Sequence, residues 1–146
     1  MTRCTKLAVF AAIFAIPTLA LAHSGATGIV KKRMEVMKDV GAVMKELGAM
    51  VKGDANFDAS TVARRAGDLK VHAAGMPALF PEGSIHGPSE ALPQIWADFE
   101  EFSRIASDLE SAAATLSGVT EAAALPAALG AAGKTCKACH SDYRKP

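Results

Sequence analysis

Two cysteines and a histidine stand close together near the C-terminus, in the stretch KTCKACHSDYR. Cys136 and Cys139 are three positions apart, and His140 follows directly. Two thiols and an imidazole at this spacing can form a redox dithiol, half of a zinc site, or the attachment point of a covalently bound haem. Each alternative predicts a different class of protein.

The helical context of the motif favours the haem. Residues three apart on a helix project to the same side, so Cys136 and Cys139 can reach two substituents on one edge of a haem, and His140 can reach the iron. A structural zinc site needs four ligands, and the other histidines are dispersed along the chain. A thioredoxin-like pair should open a helix after a strand, whereas this pair lies near the end of a predicted C-terminal helix. The motif therefore predicts one haem c with iron, with His140 as the proximal ligand.

The first 22 residues predict a cleaved secretory signal peptide. Arg3 and Lys6 precede an uncharged apolar run, LAVFAAIFAIPTLALA, whose final small residues form a cleavage site before His23. The run is short for a bilayer span, so an uncleaved membrane anchor is the lesser alternative. We expect export to the periplasm and one domain at residues 23–146.

The charge balance of that domain argues against nucleic acid as a partner. Removing the signal takes away two basic residues and leaves 14 Lys and Arg against 15 Asp and Glu, a net charge of −1. Nucleic-acid-binding domains are typically strongly basic. Only Cys136 and Cys139 remain, and an oxidising compartment requires them to be paired, metal-bound or covalently modified.

Apolar residues recur every three or four positions and predict four amphipathic helices without a strand. The stripes run through residues 30–51, 62–80, 95–116 and 121–144, with Val51 and Phe99 expected on inward faces. Asp58 or Ser60 can cap the second helix, and Pro126 is expected either to kink the fourth or to start it. A Pro/Gly-rich loop, FPEGSIHGPSEALP, separates the second and third helices. We predict an all-α, antiparallel up-down-up-down bundle with the haem near the C-terminal helix.

The chain resembles the class II c-type cytochromes, which comprise cytochrome c′ and its low-spin relatives of the cytochrome c-556 type. The resemblance covers essentially all of residues 23–146. Four features carry it: the Arg33-x-x-x-Met37 start of the first helix, the LFPEGS loop, PQIWADFEEF in the third helix, and GKTCKACHSDYR at the end.

The resemblance makes Met37 the residue that decides the function. In cytochrome c′ the matching position is usually a noncoordinating side chain that covers a vacant iron face. In the low-spin branch the matching methionine binds iron, and VMKDVGAVMKELGAM looks like that branch. Met37 is then the distal ligand of a six-coordinate electron carrier; the alternative is a distal plug in a five-coordinate protein that binds nitric oxide or carbon monoxide. Because Met34, Met44 and Met50 share the helix, the helical pattern alone does not choose among them.

The resemblance also implies roles near the haem for Arg33, Trp96 and Arg144. Arg33 either pairs with a haem propionate or lies at the rim with its charge in water. Trp96 matches a tryptophan near the haem, although it and Phe99 are also simple core aromatics. Arg144 matches a basic residue beside the proximal histidine, or serves only the helix terminus.

The resulting functional prediction is a monohaem c-type cytochrome that transforms no substrate and exchanges electrons with redox partner proteins. The family often pairs through its first two helices, so a homodimer is possible on this resemblance. A basic collar around the attachment motif could steer an acidic redox partner to the haem edge. Its four residues are Lys134, Lys137, Arg144 and Lys145.

Overall fold

The structure is a computed structural model that describes residues 25–146, so the predicted signal peptide and His23 lie outside the described residues. Five helices follow in order: α1 Gly28–Lys52, α2 Ala59–Gly75, α3 Gln94–Ala97, α4 Phe99–Ser117 and α5 Leu125–Tyr143. The four long helices form the predicted all-α bundle, which is confirmed. Among the described residues, no helix combines the length and apolar content that a membrane span requires.

The helix ends follow from local chemistry. α1 stops at Gly53, whose left-handed φ of 80° lets its N–H bond back to the carbonyls of Ala49 and Met50. α2 is capped by Asp58, one of the two predicted caps, whose carboxylate accepts from the Thr61 N–H at 2.5 Å. α5 begins at Leu125 with Pro126 in its first turn, which selects the helix start over the kink as the role of Pro126.

The third predicted helix is divided, which corrects the inward assignment of Phe99. α3 ends at Ala97, and Asp98 adopts a non-helical φ of −139° and ψ of 48° before α4 starts. The break resets the helical register, so Phe99 is 41% exposed while Phe102 is buried. Val51, also expected inward, is 40% exposed in the last turn of α1.

The buried side chains form two clusters along the bundle. One lies between the long helices and contains Leu47, Leu69 and Leu116. The other contains Phe80, Phe102 and Tyr143, whose rings pack edge to face with centroid distances of 4.9 and 5.3 Å around Phe102. Cys136 packs against the first cluster and Cys139 against the second, so the CxxCH turn spans the boundary between them.

Two valines in α2 test whether the first cluster stabilises the bundle. Val62 is fully buried and Val71 is 71% exposed. We expect Val62→Ala to lower the free energy of unfolding by about 1.5–3 kcal/mol, since it removes apolar burial and leaves a cavity. Val71→Ala, the same change in the same helix, should stay within about 0.5 kcal/mol of the parent protein. Equal losses in denaturant titrations would contradict the burial assignment.

Candidate functional site

A cavity of about 560 Å³ opens beside the CxxCH turn of α5. Cys136, Cys139 and His140 all line it, so the structure brings the three predicted residues to one wall. Both sulfurs are free, half-buried thiols. The volume lies within the range of about 300–1,000 Å³ that is typical of cofactor sites.

Helix α1 forms the opposite wall of this cavity. Its cavity-lining residues recur with helical spacing and are mostly apolar: Val30, Arg33, Met34, Met37, Lys38, Val40, Gly41 and Met44. Three of the four α1 methionines therefore face the cavity. Met50 instead packs against the first core cluster, which removes it from the candidates that the helical pattern left open.

The two thiols are not tuned for redox chemistry. Burial raises the pKa of Cys136, and burial together with Cys136 and Asp142 raises the pKa of Cys139 to about 11. Reactive dithiols have a depressed pKa because the thiolate is the nucleophile. Cys136 and Cys139 are accordingly protonated near neutral pH, which is the opposite of a thioredoxin-like pair.

His140 is held in the form that a metal ligand needs. Partial burial and the nearby positive charge of Arg144 lower the pKa of its imidazole, and Glu90 opposes this only in part. The imidazole is therefore neutral at pH 7, with a lone pair free for coordination.

Arg33 lies inside the protein and not at its rim, so the interpretation of Arg33 as a rim residue in water is wrong. It is 5% exposed, and its guanidinium stacks 4.0 Å from the ring centroid of Phe80. Its Nε and Nη2 donate to the Leu79 carbonyl at 3.2 and 2.8 Å, while Nη2 and Nη1 donate to Ser84 Oγ at 2.8 Å and Ser89 Oγ at 3.2 Å. These hydrogen bonds satisfy the guanidinium in the interior. The residues that accept them lie 46 to 56 positions away from Arg33 in the chain.

The buried charge of Arg33 lacks a carboxylate partner within residues 25–146. A buried cation is costly unless a negative group compensates for it. Burial lowers the pKa of the guanidinium, which nevertheless remains protonated. Because Arg33 lines the cavity, an anionic substituent of a bound cofactor would supply the missing charge.

Trp96 and Arg144 take different places. Trp96 is absent from the cavity lining and donates through Nε1 to the Phe80 carbonyl at 3.0 Å, so it supports a residue of the wall. Arg144 lines the cavity directly after α5 and forms an ion pair with Glu90 at 2.6 Å. Sequence reasoning missed Ser89 and Glu90, because their partners are 54 to 56 residues away along the chain.

These residues fit a covalently attached haem. One wall carries two thiols and a neutral imidazole, the remainder is largely apolar, and a buried guanidinium without a carboxylate partner among residues 25–146 lies at the same cavity. Cys136 and Cys139 would hold the haem through thioether bonds and His140 would bind iron.

Arg33 can be tested as the anchor of the loop that it binds. We expect Arg33→Met to lower the free energy of unfolding by about 2–4 kcal/mol, because it leaves buried acceptors without a donor. Arg33→Lys should recover only part of this, since one ammonium cannot reach the carbonyl and both serines in the same geometry. Lys32→Met, an exposed change in the same helix, is the control. If denaturant titrations gave Arg33→Met and Lys32→Met the same free energy of unfolding, Arg33 would not anchor the loop.

Comparison with known proteins agrees with this site. The family model described as cytochrome c′ matches residues 28–144. Cytochrome c′ of Rhodopseudomonas palustris is 34% identical over 120 residues, covering 81% of this chain and 82% of that protein. Cytochrome c-556 of Agrobacterium fabrum is 33% identical over 145 residues, covering 97% of both.

Solved structures share the fold. Cytochrome c′ from Rhodopseudomonas palustris superposes with a TM-score of 0.78 at 33% identity, over 83% of this chain and 98% of that one. A nitric oxide complex of a mutant cytochrome c prime from Alcaligenes xylosoxidans has a TM-score of 0.73 at 30% identity, over 81% and 94%. The chain thus belongs to the cytochrome c′ family, as a monohaem c-type cytochrome whose cofactor is covalently bound haem c with iron.

Proposed function

We propose that the protein is a periplasmic one-electron carrier with a low-spin haem ligated by His140 and Met37, and that it is not an enzyme. The observation that carries the proposal is the position of Met37 on the α1 wall of the cavity that His140 lines from α5. Bound haem supplies reversible one-electron chemistry, with a potential that a thioether ligand raises relative to two nitrogen ligands.

Packing supports Met37 over the other methionines of the wall. Met37 packs against the second core cluster, as does Cys139, the neighbour of His140 in the chain. Met44 packs against the first cluster together with Cys136, one turn further from His140. Met34 belongs to neither cluster. Met37 is therefore the α1 thioether associated with the same end of the site as the proximal imidazole.

The residues around the cavity would limit the reorganisation energy when the charge on the iron changes. Phe102, Ile105 and Leu109 give the cavity an apolar side, which excludes water. Arg33 places a fixed positive charge at the same cavity, where it would compensate for an anionic haem propionate. A dry, pre-arranged surround of this kind reorganises little on electron transfer.

A five-coordinate, gas-binding protein is the second candidate. A mutant cytochrome c prime from Alcaligenes xylosoxidans has been solved as its nitric oxide complex, and the relatives include proteins named cytochrome c′ and cytochrome c-556. In that case Met37 would only cover the iron and would yield to nitric oxide or carbon monoxide.

The proposal includes export to the periplasm and electron exchange with partner proteins. The signal sequence supports a periplasmic location, and redox proteins are the expected partners, with a homodimer possible. The collar is smaller than the sequence suggested, because Arg144 pairs with Glu90 and Lys145 donates to the Ser89 carbonyl at 2.9 Å. Lys134 and Lys137 are exposed and make no ion pair within residues 25–146.

Substituting the cavity methionines separates the two candidates. We expect a low-spin ferrous spectrum that resists carbon monoxide, and Met37→Ala should turn it high-spin and raise carbon monoxide affinity by about tenfold or more, since an internal competitor is removed. Met34→Ala and Met44→Ala should keep the parent spectrum. The mass of the preparation, expected to be residues 23–146 plus one haem, is checked first. A Met37→Ala spectrum identical to the parent would eliminate Met37 as the ligand.

Charge reversal tests the two free lysines as the docking surface for an acidic redox partner. Lys137→Glu and Lys134→Glu should each slow electron exchange with such a partner at low salt by about threefold or more, and the difference should vanish at high salt. Lys52→Glu, at the end of α1 and outside the cavity lining, should have no such effect. Electron-exchange rates that do not depend on ionic strength in stopped-flow measurements would contradict a docking role for Lys134 and Lys137.

A further inference from the structure

The two helices that carry the candidate axial ligands, besides contacting each other directly, are both bonded to one short segment of the long loop. This segment, residues 84–91, lies between the 3-10 turn Pro77–Leu79 and α3. It receives side-chain bonds from α1 on one side and from the residues that follow α5 on the other. Residues 88–91 also form part of the cavity wall.

On the α1 side, Arg33 makes the connection. Its Nη2 donates to Ser84 Oγ at 2.8 Å and its Nη1 donates to Ser89 Oγ at 3.2 Å. Both serines are buried, at 6% and 5% exposure, so water does not compete for these bonds. Arg33 precedes Met37 by four positions, which is about one helical turn on the same face.

On the α5 side, the chain immediately after the helix makes the connection. The Lys145 N–H donates to the Glu90 carbonyl at 2.8 Å, and Lys145 Nζ donates to the Ser89 carbonyl at 2.9 Å. Arg144, four positions after His140, donates from Nε to the Glu90 carboxylate at 2.8 Å.

Ser89 is the residue where both connections meet. Its hydroxyl is bound to Arg33 of α1 and its carbonyl to Lys145, two residues beyond the end of α5. Ser84 also binds Arg33, yet no side-chain bond joins it to α5 within the described residues. A link through Ser89 therefore spans the cavity from the turn before Met37 to the turn after His140.

We propose that Ser89 is a positioning residue that, with Lys145, fixes the separation of α1 and α5 across the cavity. The inference rests on the proposed function for the axial role of Met37. When this link holds, the α1 wall stays close to the face opposite His140. When the Arg33–Ser89 bond is cut, Arg33 keeps its contacts with Leu79, Phe80 and Ser84 among the described residues. When the Lys145 ammonium is lost, the segment keeps the backbone bond between Lys145 and Glu90. In either case α1 is held less firmly, and the wall yields more readily to an incoming ligand.

Two variants each remove one side-chain bond of the link in the haem-loaded protein, while the backbone bonds from Lys145 N–H to the Glu90 carbonyl and from Leu92 N–H to the Tyr143 carbonyl remain. Ser89→Ala removes the hydroxyl that Arg33 binds, and Lys145→Met removes the ammonium without touching the cavity, since Lys145 does not line it. Ser84→Ala is matched to the first, because it also removes one buried Arg33 bond. Lys134→Met is matched to the second, because it removes an exposed α5 charge.

We expect Ser89→Ala and Lys145→Met each to raise the carbon monoxide affinity of the ferrous protein about three- to tenfold over their matched controls. The reduction potential should fall in both, because a weakened thioether bond stabilises the reduced state less. The double variant should show less than the product of the two effects, since both changes break one link. Denaturant midpoints should fall as much in Ser84→Ala as in Ser89→Ala, which separates positioning from stability.

The possible failures are distinct. A low-spin parent protein whose Ser89→Ala and Lys145→Met variants bind carbon monoxide within twofold of their controls overturns the positioning role alone. A high-spin, five-coordinate parent overturns Met37 ligation. In that case the carbon monoxide affinities of the variants relative to their controls still test Ser89, because the incoming ligand must displace the same α1 wall. Affinities within twofold of the controls would overturn the positioning role in a five-coordinate protein as well.

Discussion

A buried guanidinium organises this end of the bundle. Arg33 lies in an otherwise apolar stripe of α1, stacked on Phe80 and bonded to one carbonyl and two serines of the loop between α2 and α3. Such a charge is tolerated in the interior only where several groups satisfy it. Satisfying it shapes the loop into a wall of the cavity and fixes α1 at the turn that precedes Met37.

The site divides its tasks between two helices. α5 carries the attachment residues, with two cysteines and a histidine on one wall of the cavity. α1 carries the opposite wall, where Arg33, Met37 and Gly41 follow one another at intervals of four residues. Because the attachment residues sit on α5 alone, the proposed difference between an electron carrier and a gas-binding protein depends on what α1 presents and how firmly it is held.

The helices, the haem attachment site and the family could be predicted from the sequence, because they depend on local periodicity and on residues close together in the chain. The sequence did not predict the break at Asp98, which left Phe99 exposed, since the apolar spacing continues across it. The interior position of Arg33 and the part played by Ser89 were also missed. Both depend on contacts between residues more than 40 positions apart, within a loop that has no periodicity to reveal its shape.

The central proposal is that Met37 sulfur and His140 nitrogen bind the same iron from α1 and α5. X-ray absorption at the iron edge of the native haem-loaded protein tests this most directly, because sulfur and nitrogen scatter distinguishably. We expect one sulfur scatterer in the first coordination sphere in addition to the nitrogens of the haem and His140. A first sphere of nitrogen alone, in five-coordinate iron, would contradict it.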